Sequence, residues 1–209
     1  MKEGELWFPY WGACVIKSSI SNTFRNKLLE EGKKTKTDFR QHLAGMIEKE
    51  YKYKNYEDWF FPEFFPFLQM YQDQFINSWG GQLGNIINPF KITSSLLWIN
   101  FQKKNEYNPR HEHTGDLSFV IYLKIPKELV KENKKSKEIH NNNGTGTIKF
   151  HFGEKLPFSI NDYEALPNEC DIFIFPSWLQ HSVTPFFSDV ERISVSGNIH
   201  LQHHEPLQT

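Results

Sequence analysis

Two histidines and two carboxylates crowd the stretch NPRHEHTGDLSFVIYL, residues 108–123, just ahead of an apolar run. Imidazole and carboxylate are common protein ligands for first-row transition metals. In an extended chain, residues two apart point to the same side. His111 and His113 then face one point together, and Glu112 faces away. Asp116, past the Thr114-Gly115 turn, is a further candidate ligand. A third histidine, His181, stands in FPSWLQHSVTPF, between two apolar stretches. A polar residue at such a junction suits the mouth of a two-sheet structure. The plainer reading makes all of these solvated loop or corner histidines, and His203 and His204 read as an exposed tail.

A second pattern lies in RISVSGNI, residues 192–199. Arg192, Ser194, Ser196 and Asn198 share one strand face, and Ile193, Val195 and Ile199 share the other. The polar face is either solvated or lines a cavity. In a cavity, Arg192 awaits an anion, because a guanidinium grips a carboxylate with two parallel hydrogen bonds and a nearby hydroxyl completes the grip. By the same parity Trp98, Asn100 and Gln102 share a face, and Tyr122 lies on a neighbouring strand candidate. Each is a cofactor or substrate contact, or part of the core.

These residues need rigid strands to hold them. Candidates are residues 93–102, 117–125, 147–152, 171–175, 182–186 and 191–200, separated by turn residues. The first half reads differently. A strand is expected over 7–17. Helices are expected over 21–32, opened by a Ser/Asn cap and closed by Gly32; over 38–51, with Phe39, Leu43, Met46 and Ile47 on one stripe; and over 60–79, with early prolines and Gly80-Gly81 at its end. Residues 127–146, Lys-rich and then Asn/Gly-rich, read as a mobile surface loop, either a substrate lid or a solvated insertion. The expected architecture is mainly β with supporting helices, an α+β chain. A helix-rich block over 1–90 precedes a double-sheet jelly-roll core over 91–202, all in one domain spanning 1–209.

Composition sets bounds. The chain has 209 residues and a net charge of -1, so no nucleic-acid or anionic-membrane footprint is expected. Aromatic residues make up 16%, in keeping with strands on half-buried surfaces. The two cysteines, Cys14 and Cys170, do not suggest a disulfide framework. With no signal-peptide pattern and no long apolar run, a cytoplasmic setting is expected, the host cytoplasm if a phage encodes the chain. Oligomeric state is not readable.

The order of these features, together with the blocks WINFQKKNEYNPRHEHTGDLSFVIYLKIP and DIFIFPSWLQHSVTPFFSDVERISVSGNI, resembles a 2OG-Fe(II) oxygenase family. That family is frequent in bacteriophages and bacteria and is related to prolyl-hydroxylase-like enzymes. DFRQHLAGMIEKEY resembles its upstream helix. The resemblance implies a double-stranded β-helix, Fe(II) and 2-oxoglutarate as cofactors and O2 as co-substrate. It implies hydroxylation of a C–H bond in a protein side chain, of prolyl type, or in a small molecule. His111 matches the first metal ligand and His181 the distal one. Arg192 matches the 2-oxoglutarate-binding arginine, and Ser194 its hydroxyl partner. Asn100, Tyr122 and Asn198 are further candidate cofactor contacts. The family pattern expects a carboxylate two residues after His111, where this chain has His113. Either His111, His113 and His181 form a three-histidine face, or Asp116 joins two histidines around the turn, or the site is impaired. The missing carboxylate also keeps two rivals open: a cupin-like three-histidine metalloenzyme without 2-oxoglutarate, and a non-catalytic jelly-roll binding module.

Overall fold

A computed structural model describes residues 12–79, 89–140, 144–157 and 159–203. In chain order the strands are β1 (Ile16–Ser19), β2 (Thr37–Asp38), β3 (Glu50–Lys52), β4 (Ile92–Gln102), β5 (Asn108–His111), β6 (Leu117–Lys124), β7 (Ile148–His151), β8 (Asp162–Ala165), β9 (Asp171–Pro176), β10 (Gln180–Val183) and β11 (Arg192–Leu201). The α-helices are α1 (Asn22–Lys34), α2 (Glu57–Trp79) and α3 (Lys127–His140). The strands form two antiparallel sheets. The larger has the order β1-β9-β6-β11-β4-β3-β2, and the smaller β5-β10-β7-β8. Among the described residues no helix is long and apolar enough to cross a membrane.

The layering follows from side-chain parity. Ile193, Val195 and Ile199 of β11 point to the outer face of the large sheet, where Leu97, Ile99, Phe119 and Ile121 join them. Onto that face α1 lays Phe24 and Leu28, and α2 lays Phe60, Phe64 and Leu68, at helical spacing. The inner face carries Val120, Tyr122, Phe173 and Phe175, which meet Ile148 and Phe150 of the small sheet. The layers are therefore helices, large sheet, small sheet, with polar side chains of β4 and β11 enclosed between the sheets.

Most expected elements form close to their expected bounds. The Ser21 hydroxyl caps α1 by accepting from the Phe24 amide at 3.1 Å. Gly32 does not close that helix, which runs on to a cap at Thr35. Instead it lets the helix approach the sheet, since a Cβ there would sit 2.3 Å from Ile99 Cδ1. In α2, Pro62 and Pro66 lie inside the helix rather than at its start, because it begins at Glu57. The strand expected over 7–17 lies partly outside the described residues, as do Gly80-Gly81 and His204; β1 begins at Ile16.

Two expectations fail. Residues 38–51 are not a helix but β2, a short 3-10 turn at Arg40–His42, and β3. Edge pairing of β3 with β4 (Tyr51 opposite Ile99) supplies hydrogen bonds that a helix would forgo, and Met46, on the supposed apolar stripe, is 62% exposed. Residues 127–140 are not a mobile loop but α3, whose Leu129 and Asn133 bury one turn apart.

Where β11 crosses β6, Gly197 lies under the Phe119 ring, and Phe119 packs on Phe64 at a centroid distance of 4.6 Å. A Cβ at Gly197 would meet Phe119 Cζ at 2.3 Å and the Leu96 carbonyl oxygen at 2.6 Å. Gly197→Ala should therefore lower unfolding stability by about 1–3 kcal/mol, visible as a lower denaturant midpoint. An unchanged midpoint would contradict this packing.

Candidate metal and anion site

Strand pairing brings the histidines together. His111 on β5 is the direct cross-strand partner of His181 on β10. His113 follows two residues on, held by its amide donating to the Ser177 carbonyl at 2.9 Å. One ring nitrogen from each of the three lies within 4.8 Å of the others. Glu112 points outward, where its carboxylate accepts from the Gln180 side chain.

The second nitrogen of two rings is committed. His111 Nδ1 lies 2.7 Å from the Pro109 carbonyl, and His181 Nδ1 lies 2.9 Å from the Leu179 carbonyl. A carbonyl can only accept, so each Nδ1 carries the proton and each Nε2 keeps its lone pair. Burial, with the neighbouring histidines adding to it, lowers the pKa of His181 to about 3 and that of His113 to about 4. Burial also lowers that of His111. Three neutral imidazoles converging on one point fit a first-row metal ion such as iron(II).

Asp116 does not join them. Its carboxylate accepts from the Leu201 amide at 2.7 Å and sits 2.8 Å from His203 Nε2. The Thr114-Gly115 turn carries it to the end of β11 rather than back to the cluster, because Gly115 packs against the Ile199 carbonyl. His203 is exposed, as expected, and its ring is engaged with Asp116.

Across the cavity from the histidines lies Arg192. It is 3% exposed, and among the described residues no carboxylate pairs with it. Its Nη1 donates to the Gly146 carbonyl at 2.7 Å, and its Nη2 donates to Gln102 Oε1. The guanidinium carbon stands 5.6 Å from the Tyr122 ring centroid. Its Nε has no partner. Nor do the Tyr122 hydroxyl and Asn100 Oδ1, and burial pushes the Tyr122 pKa up to about 12. Asn100 Nδ2 donates to the Ser194 and Ser196 hydroxyls at 3.3 and 3.2 Å. A buried guanidinium with idle donors beside it is a cradle for a carboxylate.

These groups line one cavity, together with the apolar walls Val120, Ile148, Phe175 and Val183. The cavity holds His111, His113, His181, Arg192, Ser194, Asn100 and Tyr122. Asn198 is not among its lining. Its Oδ1 accepts from the Ser118 hydroxyl at 2.9 Å, two residues too far along β11 to reach the cradle. Sequence reasoning missed Glu50 and Asn108, which also line the cavity. Glu50 falls in the segment expected to be helical. Recognising β3 as a strand opposite β4 would have placed Glu50 beside Asn100.

Two outcomes follow. Asp116→Asn should retain one bound metal equivalent and lose about 1–3 kcal/mol of stability at the Leu201 tie, whereas His113→Ala should lose the metal, both read by metal analysis and denaturation. The second concerns acid. Because the folded protein disfavours charged His113 and His181, the unfolded chain binds more protons below the ordinary value of 6.5. The histidine contribution to the stability of metal-free protein should be constant above that pH and fall as pH drops toward 4, by about 1.4 kcal/mol per unit per histidine at most. Glu50, its pKa raised to about 7 by burial, opposes it, with a contribution present below its ordinary 4.5 and lost as pH rises through 7. Urea unfolding across that range checks it, and His181→Gln should flatten the slope.

No curated protein sequence matches the chain. Among solved structures it is similar to a prolyl-4-hydroxylase of Pseudomonas putida, with 11% identity over 92% of this chain and 93% of that one and a TM-score of 0.54. It is similar to a prolyl hydroxylase from Trichoplax adhaerens solved with a hypoxia inducible factor oxygen degradation domain peptide, with 16% identity over 90% and 83% and a TM-score of 0.52. A further likeness is to HygX from Streptomyces hygroscopicus, solved with nickel, 2-oxoglutarate and hygromycin B, with 10% identity over 89% and 81% and a TM-score of 0.50. At these identities the likenesses establish the double-stranded β-helix fold. A family model described as "Putative 2OG-Fe(II) oxygenase" matches residues 96–198. That segment carries all three clustered histidines and Arg192, so the part of the chain that is similar to the 2OG-Fe(II) oxygenase family is the part that builds the site.

Proposed function

We propose that the chain is an Fe(II)- and 2-oxoglutarate-dependent dioxygenase that hydroxylates a C–H bond of a protein side chain, of prolyl type, or of a small molecule. The observation that carries this is the buried Arg192, without a carboxylate partner, in the same cavity as three neutral histidines. His111, His113 and His181 would hold the iron. Arg192 would hold the far carboxylate of 2-oxoglutarate, with Ser194, Tyr122 and Asn100 beside it. Once bound, the pair supplies oxygen activation, with 2-oxoglutarate converted to succinate and CO2.

The chain's own residues do the rest. Gln102 and the Gly146 carbonyl fix the guanidinium plane, so its idle Nε stays free for the incoming carboxylate. The Tyr122 hydroxyl, kept protonated by burial, is available as a donor. Val120, Ile148 and Phe175 keep water from the enclosed end, which strengthens every polar contact there. The two Nδ1–H bonds hold the His111 and His181 rings with their lone pairs presented. The prolyl hydroxylases among the similar structures support a prolyl-type side chain as one substrate class. The net charge of -1 supports a partner that is neither nucleic acid nor membrane.

One rival has an observation in its favour. The cluster contains no carboxylate, as in a three-histidine metalloenzyme that does without 2-oxoglutarate. The decisive assay supplies Fe(II), 2-oxoglutarate and O2 and measures succinate, including uncoupled turnover without a second substrate. Arg192→Ala should weaken 2-oxoglutarate binding by about 30-fold or more while metal binding survives. Metal binding without any 2-oxoglutarate affinity in the wild type would favour the rival.

A further inference from the structure

The register of the large sheet sets four polar side chains in one row: Tyr122 on β6, Ser194 on β11, Asn100 on β4 and Glu50 on β3. All four line the cavity. Glu50 closes the row on β3, whereas Arg192 stands beside Ser194 on β11, two strands away, so the cavity has an acidic end apart from its cation. Glu50 is 1% exposed, and its Oε2 receives no hydrogen bond. Asn108 Oδ1, also buried, receives none either. The two residues converge on the Gly45 backbone: a Cβ built there would lie 2.1 Å from Asn108 Oδ1 and 3.2 Å from Glu50 Oε1. Even if the Asn108 amide were turned over, it would give the carboxylate a donor and no charge.

Two buried acceptors with no donor between them are expensive unless a ligand supplies one. The cation nearest in influence, Arg40, is already gripped by Asp38 at 2.6 Å. Burial first, and Glu106 second, raise the Glu50 pKa to about 7, so the carboxylate is held on the verge of ionisation. An incoming cation would bring both the missing charge and the missing N–H donors. Leu43, Ala44 and Ile47 line the cavity beside this pair and offer an apolar wall to a hydrocarbon stem. A dianionic cosubstrate is repelled here and drawn to Arg192, which leaves the acidic end to the second substrate.

We propose that Glu50 and Asn108 form the subsite that selects the second substrate, and that this substrate carries a protonated amine or guanidinium on an aliphatic stem. The proposal rests on reading the cavity as an oxygenase site. It is tested with manganese-loaded protein in the presence of 2-oxoglutarate, by calorimetric titration with N-acetyl-arginine methylamide and its neutral isostere N-acetyl-citrulline methylamide. The wild type should bind the arginine probe about tenfold tighter than the citrulline probe. Glu50→Gln should erase that preference while manganese and 2-oxoglutarate affinities stay within about twofold of wild type. Asn108→Ala should weaken the arginine probe severalfold without reversing the preference. Equal binding of the two probes, no binding of either, a preference that survives Glu50→Gln, or loss of manganese in that variant would each overturn the proposal. If 2-oxoglutarate fails to bind the wild type but the charge preference is present and Glu50-dependent, the oxygenase reading falls and the subsite stands.

Discussion

The rest of the structure turns on one buried charge. A guanidinium taken out of water without a carboxylate partner carries a penalty of several kcal/mol, at the order-of-magnitude level. Arg192 recovers part of it from neutral acceptors, the Gly146 carbonyl and Gln102, and from the face of Tyr122. Each of these has been fixed in place by other elements. Gly146 adopts a φ of +66°, and a Cβ there would lie within 3 Å of Leu129, so α3 presses the turn that presents the carbonyl. Gln102 is set opposite Arg192 by the β4–β11 register and donates onward to the Glu106 carbonyl. What remains unsatisfied is the Nε, on a charge that still lacks its counterion. A cation held by this much architecture, with no carboxylate partner among the described residues, is what the proposed anion site rests on.

The histidine cluster depends on the same frame by a different route. β5 and β10 are short strands in the smaller sheet, and their pairing sets His111 directly opposite His181. Ring orientation then follows from the local carbonyls at Pro109 and Leu179 rather than from distant side chains. Arg192 and the polar side chains around it sit on β4, β6 and β11, which are anchored from outside by the aromatic stack of Phe60, Phe64 and Phe119. His111 and His181 thus belong to one sheet and Arg192 to the other. The apolar contacts between Phe150, Phe173 and Phe175 hold those sheets at their separation. Packing between sheets sets the distance between the histidine cluster and Arg192.

Strand parity made the core of this site legible. Alternation in residues 192–199 put Arg192 and Ser194 on one face, and i, i+2 spacing put His111 beside His113 with Glu112 turned away. Both readings use a period of two that a strand cannot evade. The same argument overreached at Asn198, because parity says which face a residue shares and not how far along that face the cavity extends. Asp116 shows a different limit. Its type suits a metal, but the Thr114-Gly115 turn and the free amide of Leu201 decide where its carboxylate goes, and neither is visible before the chain is folded. The segment 38–51 misled because four apolar residues fell at helical intervals, while the unpaired edge of β4, a non-local feature, claimed the chain as strand. Residues 127–140 misled by composition, since lysines dominate and only Leu129 and Asn133 mark the buried face of α3.

The histidine in place of a carboxylate alters the charge of the site more than its shape. A carboxylate ligand would bring one negative charge to a divalent ion, whereas His113 would bring none, so an ion held there would keep its full charge within the protein. Arg192 adds another positive charge to the same cavity. Against these, Glu50 is the one carboxylate among the described lining residues, and it lies two strands away from Arg192, on β3 rather than β11. On the proposed reading, a basic group entering the metal-loaded cavity would meet an excess of positive charge, which a bound dianion would lower. The charges of His113, Arg192 and Glu50 would then favour the dianion before a basic substrate, with no moving part required.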